Sequence, residues 1–361
     1  MLGNRIFINT TYTPLKSYAY KTALNYFSNA SRKIAQPLSV YVSVTNKCVF
    51  NCPYCSNFGS AERDLEGNIL FGLVNQIQDS GAACIGFTGG EPLLRNDLEQ
   101  IIKAVDNRSY TLVFTSGYSL DRKRALTLKT AGLSAVVISL DSHIAKEHNN
   151  GRNFEKAFDI AVSAIESSLD VGLYTAVSMV VSKEMLSSKK IYDFVSFVGA
   201  LGAHEIRLLR PMPCGKLMKE DFEPFEESDL SRLIALQHEI NRNKYLPTIM
   251  ALPHIGSINN YGCSAGRTHA YVTADGDVCP CDFVPLSFGN IMELPFSEIY
   301  KKMALNFAKP SYGCISQLIH RDIKSVADGK LPVTDAIALQ ELMKALGDRP
   351  TPLLYRKLGY D

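Results

Sequence analysis

A chain of 361 residues, 46% hydrophobic and 20% charged, holds enough apolar material for a large core and is too long for one small domain. Its 38 basic and 36 acidic side chains leave a formal net charge of +2, which speaks against a dedicated binder of nucleic acid or of a membrane surface. No apolar run reaches the ~18 residues of a membrane span and no basic-then-apolar leader opens the chain, so a cytoplasmic protein is expected.

Residues 1–37 read as a helical extension, with apolar residues at helical spacing between Leu15 and Ile34. From Leu38 to Val44 the chain alternates and is rich in β-branched residues, which predicts a strand. Further buried strands are predicted at Cys84–Thr88, Thr111–Thr115, Ala135–Leu140, Leu173–Val181 and Glu205–Leu209, with helical periods between them. Strands alternating with helices argue a parallel sheet with right-handed crossovers. Six such strands suggest an α/β fold, a partial (β/α)6 TIM-like barrel over residues 38–215. Residues 216–255 read as a bridging helix and linker. Residues 256–361 read as a small cysteine-rich region, with a hairpin turning at Ala274-Asp275-Gly276 and helices broken at Pro310, Pro332 and Pro350.

Nine cysteines are an odd number, and three of them crowd into eight residues, which favours metal or redox chemistry over a disulfide scaffold. Cys48, Cys52 and Cys55 follow the first strand with the spacing C-x3-C-x2-C. Three thiolates on a tight loop can each hold a corner iron of a [4Fe–4S] cubane. With no further cysteine before Cys84, one iron is left open to a ligand. A structural zinc site would want a fourth ligand at local spacing, and none is there. Buried core thiols would sit in an apolar run, whereas these sit among Asn, Lys and Pro.

This loop resembles the signature of the radical S-adenosylmethionine (SAM) enzymes, over roughly residues 38–215, with Tyr54 where that family has an aromatic against the adenine. The resemblance implies that the amino and carboxylate groups of SAM chelate the open iron. An electron from the reduced cluster then splits the sulfonium into methionine and a 5′-deoxyadenosyl radical, which takes a hydrogen from substrate. A reducing flavodoxin or ferredoxin would be the electron donor.

Thr88-Gly89-Gly90-Glu91-Pro92 follows the second strand and is similar to the family's GGEP motif, which binds the SAM amino group. Two glycines allow close backbone approach, and Glu91 could accept from an ammonium; an ordinary strand-to-helix turn is the alternative. At Thr115-Ser116-Gly117 relatives often carry Thr-Asn-Gly, so Ser116 keeps only a hydroxyl for the ribose. Ser139 and Asp141 end the fourth strand, on the carboxyl rim where barrel enzymes gather their sites. Both are also common turn and cap residues. Met179, Arg207 and Arg210 are weaker candidates that could equally pack or pair structurally. No single catalytic residue is legible.

A second set, Cys263, Cys279, Cys281 and Cys314, resembles the auxiliary-cluster extensions called SPASM or twitch. Twelve residues separate Cys263 from Gly276 and four separate Gly276 from Cys281, and the likeness continues through Phe288-Gly289-Asn290-Ile291. Only Cys314 follows, with Gln317 where a C-x2-C partner would stand, so the resemblance implies one auxiliary Fe–S cluster at most. Cys263, Cys281 and Cys314 are its expected ligands and Cys279 the candidate fourth. An open fourth position, a zinc knuckle and an empty site are the alternatives. Cys84 and Cys214 read as structural or incidental.

These readings make an enzyme acting on a small molecule or a peptide, with net oxidation or modification of its substrate. Residues 1–38 are too short for a winged-helix leader-binding domain, which favours a small molecule or short peptide. A maturase of a ribosomally made peptide remains the alternative, as does, from another class, an Fe–S electron-transfer protein.

Overall fold

The computed structural model describes residues 6–58, 64–218, 223–307, 309–327 and 330–360. One nine-stranded sheet organises them, in the order β7-β6-β5-β4-β3-β2-β1-β8-β9. The strands are β1 (Ser39–Thr45), β2 (Cys84–Gly89), β3 (Tyr110–Thr115), β4 (Ala135–Ser139), β5 (Tyr174–Val180), β6 (Glu205–Leu209), β7 (Thr248–Ala251), β8 (His269–Val272) and β9 (Val278–Cys279). Every neighbouring pair is parallel except β8 and β9, which form a hairpin.

The six strands legible in the sequence form the centre of this arc, as β1 to β6. The sheet goes further at both edges. The segment read as a bridge carries the helix Glu227–Ile240 and then β7, which lies parallel to β6. At the other edge β8 runs parallel to β1, pairing Ser39 with His269 and Val42 with Val272. The cysteine-rich region is thereby joined to the barrel by a β-ladder.

Crossover helices cover the outside of the sheet. The helix Gly67–Asp79 turns Leu70, Leu73, Val74 and Ile77 inward, a spacing that puts all four on one face. Burial of each such side chain stabilises by about 1.5–3 kcal/mol. The helix Arg122–Ala131 starts at Asp121, which accepts from Arg124 N at 2.7 Å, and stops at Gly132 with φ +115°. Met179 on β5 is fully buried in this sheet–helix layer and does not face the barrel mouth.

The amino-terminal extension closes the floor of the barrel. Thr10 donates its N–H to Glu205 Oε2 at 2.6 Å and its hydroxyl to Glu205 Oε1 at 2.7 Å; Tyr110 in turn donates to Thr10 O. Arg207 donates to the Thr10 hydroxyl and lies over the Phe114 ring at 5.6 Å. Its guanidinium is thus committed inside the barrel, among the buried polar groups of the floor. Phe7 stacks on Tyr174, with ring centroids 4.5 Å apart. The helix Tyr18–Ser31, capped by Ser17, packs Tyr26 against Tyr355 near the chain's other end, their hydroxyls 2.6 Å apart. Among the described residues, no helix is long and apolar enough to cross a membrane.

Candidate cluster and cofactor sites

The first cysteine loop leaves the carboxyl end of β1 and is clasped on several sides. Asp64 accepts from the Thr45 hydroxyl at 2.6 Å and from Asn46 N at 2.9 Å. Gly90 N donates to Thr45 O at 2.7 Å and Glu91 N to Lys47 O at 2.8 Å. Gly90 has no room for a side chain, because a Cβ there would lie 2.2 Å from Lys47 O. Gly215, at φ +57°, presses on the far end of the loop: its Cβ would meet Cys55 O at 2.4 Å, and Lys216 N donates to that same oxygen at 3.0 Å.

The structure brings Cys48, Cys52 and Cys55 together: Cys48 feels the charges of Cys52 and Cys55, and Cys52 feels that of Cys55. Burial pushes the Cys48 thiol up to about 11 and raises that of Cys52. The free thiols of Cys48 and Cys52 are thus protonated at neutral pH, and a thiophilic metal would displace those protons on binding. Three soft sulfur donors on one loop suit iron–sulfur ligation.

Glu91 is almost fully buried and accepts from Leu93 N at 3.0 Å, the Thr115 hydroxyl at 2.6 Å, Ser116 N at 2.8 Å and the Ser116 hydroxyl. Four donors fill a carboxylate's acceptor sites. Burial raises its pKa and these bonds oppose the rise. The side chain expected to meet an ammonium here braces the ends of β2 and β3. The Ser116 proton, expected at a ribose, points to Glu91.

Tyr54 and Asp141 come together on the rim. The Tyr54 hydroxyl donates to Asp141 Oδ2 at 2.6 Å, Arg152 Nη2 lies 2.6 Å from the same oxygen, and Val180 N donates to Oδ1 at 2.9 Å. The Arg152 guanidinium sits 5.5 Å from the Tyr54 ring centre, with Nη1 3.8 Å from Cys52 Sγ. Arg152, with the hydrogen bonds from Tyr54 and Val180 N, holds the Asp141 carboxyl below its usual range despite burial. His148, buried and pushed down to about 4, is neutral and accepts from Asp141 N at Nδ1, 3.1 Å away. Ser139 ends β4 half-buried, opposite Ser178 of β5. His148 and Arg152 were missed in the sequence; their i, i+4 spacing on the helix Ala145–Arg152, which puts both on one face, was the available signal.

In the second set, Cys263, Cys281 and Cys314 converge: Cys281 feels both other thiols, and Cys263 feels Cys314. Cys263 N donates to Ser311 O at 2.9 Å, drawing the two segments together, and Cys314 stands at the start of the helix Ile315–Val326. Cys279 does not join them. It is fully buried on β9, in an apolar cluster with Phe58, Cys214 and Tyr271. Beside the triad, Asp282 Oδ1 accepts from Cys281 Sγ at 3.3 Å and lies 3.4 Å from His269 Nε2. Cys214 spans toward the first loop, its Sγ 3.3 Å from Ser56 O.

Residues 42–195 match the family model described as the radical SAM superfamily, and residues 263–315 match that of SPASM, an iron–sulfur cluster-binding domain. The chain carries a radical SAM domain followed by a SPASM domain. These domains bring a [4Fe–4S] cluster, SAM and an auxiliary Fe–S cluster. Among curated relatives, a probable GTP 3′,8-cyclase of Methanosarcina acetivorans is 26% identical over 288 residues, covering 75% of this chain and 86% of the relative. An AdoMet-dependent heme synthase of Methanosarcina barkeri is 25% identical over 301 residues, covering 76% and 83%. Streptococcus suis SuiB, solved with its precursor peptide SuiA, superposes with a TM-score of 0.62 at 15% identity, covering 78% of this chain and 68% of SuiB. The enzyme anSMEcpe with bound AdoMet gives 0.61 at 17% identity, covering 90% and 100%. The two solved structures establish likeness of fold.

Proposed function

We propose that this radical SAM protein cleaves SAM reductively at a [4Fe–4S] cluster held by Cys48, Cys52 and Cys55, and oxidises or otherwise modifies a small organic substrate. The observation that carries the reading is the convergence of these three thiols on a loop clasped by the Gly89–Gly90 turn. When bound, the cluster and SAM supply an electron and a hydrogen-abstracting 5′-deoxyadenosyl radical. The chain's own residues hold and orient. Tyr54, fixed by Asp141, offers a flat face to the adenine. The backbone of Gly89 and Gly90 meets the amino group, and Glu91 and Ser116 keep that turn in place. Ser139 offers a hydroxyl at the rim. The floor closed by Thr10 leaves the carboxyl rim as the way in.

Cys263, Cys281 and Cys314 are assigned to the auxiliary cluster. Cys279, turned into its apolar cluster, is left out of the ligand set. A small-molecule substrate draws support from the curated relatives, named as a cyclase of GTP and a heme synthase. Maturation of a peptide is the second reading, favoured by the likeness to SuiB, which was solved with a precursor peptide. A flavodoxin or ferredoxin would deliver the electron.

Anaerobic reconstitution tests the assignment. It should yield about eight irons per chain, from two cubanes, and dithionite with SAM should then produce 5′-deoxyadenosine. Replacing Cys48, Cys52 or Cys55 by Ala should abolish that product, while Cys263→Ala should retain uncoupled cleavage. If SAM leaves the paramagnetic signal of the reduced protein unchanged, the chain is an electron carrier and the proposal fails.

A further inference from the structure

Two arginines among the described residues have a buried Nε without a hydrogen-bond partner, Arg152 and Arg349. Each lies beside a cysteine triad: Arg152 by Cys52, Arg349 by Cys263 and Cys314. Arg152 already has a counter-ion in Asp141, at 2.6 Å. Arg349 has none among the described residues. Its neighbour Asp348 is paired with Lys309 at 2.6 Å, and the one hydrogen bond of the Arg349 guanidinium runs from Nη1 to Gly313 O at 3.1 Å.

The carbonyl it grips belongs to the residue before Cys314, and the surrounding backbone holds it there. Tyr312 N donates to Pro350 O at 2.8 Å, Leu353 N to Ile258 O at 2.8 Å, and Cys263 N to Ser311 O at 2.9 Å. Gly262, at φ +72°, allows the closest approach: a Cβ there would lie 2.2 Å from Pro352 Cγ. Three lengths of chain, around residues 262, 312 and 351, are laced into one wall beside the second triad. A guanidinium stays charged at neutral pH, and that of Arg349 is half-buried with its Nε–H shielded from solvent, so a donor without an acceptor there is unfavourable. Cysteine thiolates around a cubane are anionic, and the cluster gains a further negative charge on reduction.

We propose that Arg349 is the counter-cation of the auxiliary cluster, donating its Nε–H to a cluster sulfur and raising the cluster's reduction potential. The inference rests on the assignment of Cys263, Cys281 and Cys314 made above. It draws the C-terminal tail, beyond the matched SPASM residues 263–315, into the metal site. Arg349 is a positioning and charge-compensating residue, with no part in holding substrate.

The test is a redox titration of the reconstituted full chain, followed by electron paramagnetic resonance, in wild type, Arg349→Gln and Arg349→Lys. Arg349→Gln should move the auxiliary midpoint to more negative potential and Arg349→Lys should move it less. The cluster on the first triad should keep its midpoint in both. An unchanged auxiliary midpoint in Arg349→Gln, with about eight irons still bound per chain, overturns the proposal. About four irons in the unmodified chain would sink the ligand assignment first, and this proposal with it. Where Arg349→Gln cannot hold the second cluster, the unmodified chain grown on heavy-nitrogen arginine decides. Pulsed resonance on the reduced auxiliary cluster should then detect an arginine nitrogen coupling that Arg349→Lys removes, and its absence overturns the proposal.

Discussion

The Tyr54 hydroxyl and the Asp141 carboxylate meet at 2.6 Å, although 87 positions separate them along the chain. One partner lies inside the first cysteine loop and the other at the end of β4, so their bond ties the metal-binding loop to the barrel rim. The same carboxylate neutralises Arg152, whose side chain is 12% exposed against 14% for Asp141. Asp141→Asn should therefore leave a nearly buried guanidinium uncompensated, at a cost of about 3–5 kcal/mol in unfolding free energy. Chemical denaturation of the iron-free chain measures the loss; an unchanged midpoint would mean that the network contributes nothing. SAM binding to the reconstituted protein should weaken in parallel, because Tyr54 loses the acceptor that fixes its ring.

A pH dependence follows from His148. Burial pushes its pKa down to about 4, so the folded chain keeps the ring neutral where an unfolded chain, with a value near 6.5, would protonate it. Between those two values the unfolded state binds the extra proton. Stability must fall as pH drops through this window, by about 3 kcal/mol across it. His148→Gln retains an acceptor for Asp141 N and removes the titration. Its denaturation midpoint should vary less with pH between 6.5 and 4 than that of the wild type. Parallel curves for the two proteins would refute the assignment.

Gly90→Ala probes the clasp on the first loop. A Cβ placed 2.2 Å from the Lys47 carbonyl cannot be absorbed by turning a side chain, since both parties are backbone. The loop must shift, and the first cluster should be lost while the second, held by a different part of the chain, persists. Reconstituted Gly90→Ala should bind about four irons instead of about eight and form no 5′-deoxyadenosine. A full iron complement with normal turnover would contradict the structural reading.

The six central strands and the first triad were legible because each rests on local information. Period-two alternation marks Ser39–Thr45, and the C-x3-C-x2-C spacing needs no tertiary context. Of the two added parallel strands, β8 was legible as the first arm of the hairpin turning at Ala274-Asp275-Gly276, but its pairing to β1 was not; β7, four residues long, is defined by its pairing to β6. Spacing made Cys281 an expected ligand but could not decide whether Cys279 joins it. They stand two residues apart, yet one enters an apolar cluster while the other meets the triad. Glu91 was read from its motif as a ligand group, and nothing in that motif marks its hydrogen bonds to Thr115 and Ser116, 24 and 25 positions further along at the end of β3. Arg152 and Arg349 carried no motif at all. Their importance comes from what lies beside them in the fold.

The ladder between β1 and β8 has a mechanical consequence. The loop after β1 carries the first triad, and the hairpin begun by β8 carries Cys281 just beyond β9. Main-chain bonds across that ladder hold the two cysteine-bearing segments to the same sheet. Folding of the sheet therefore sets how far apart the two cysteine sets stand.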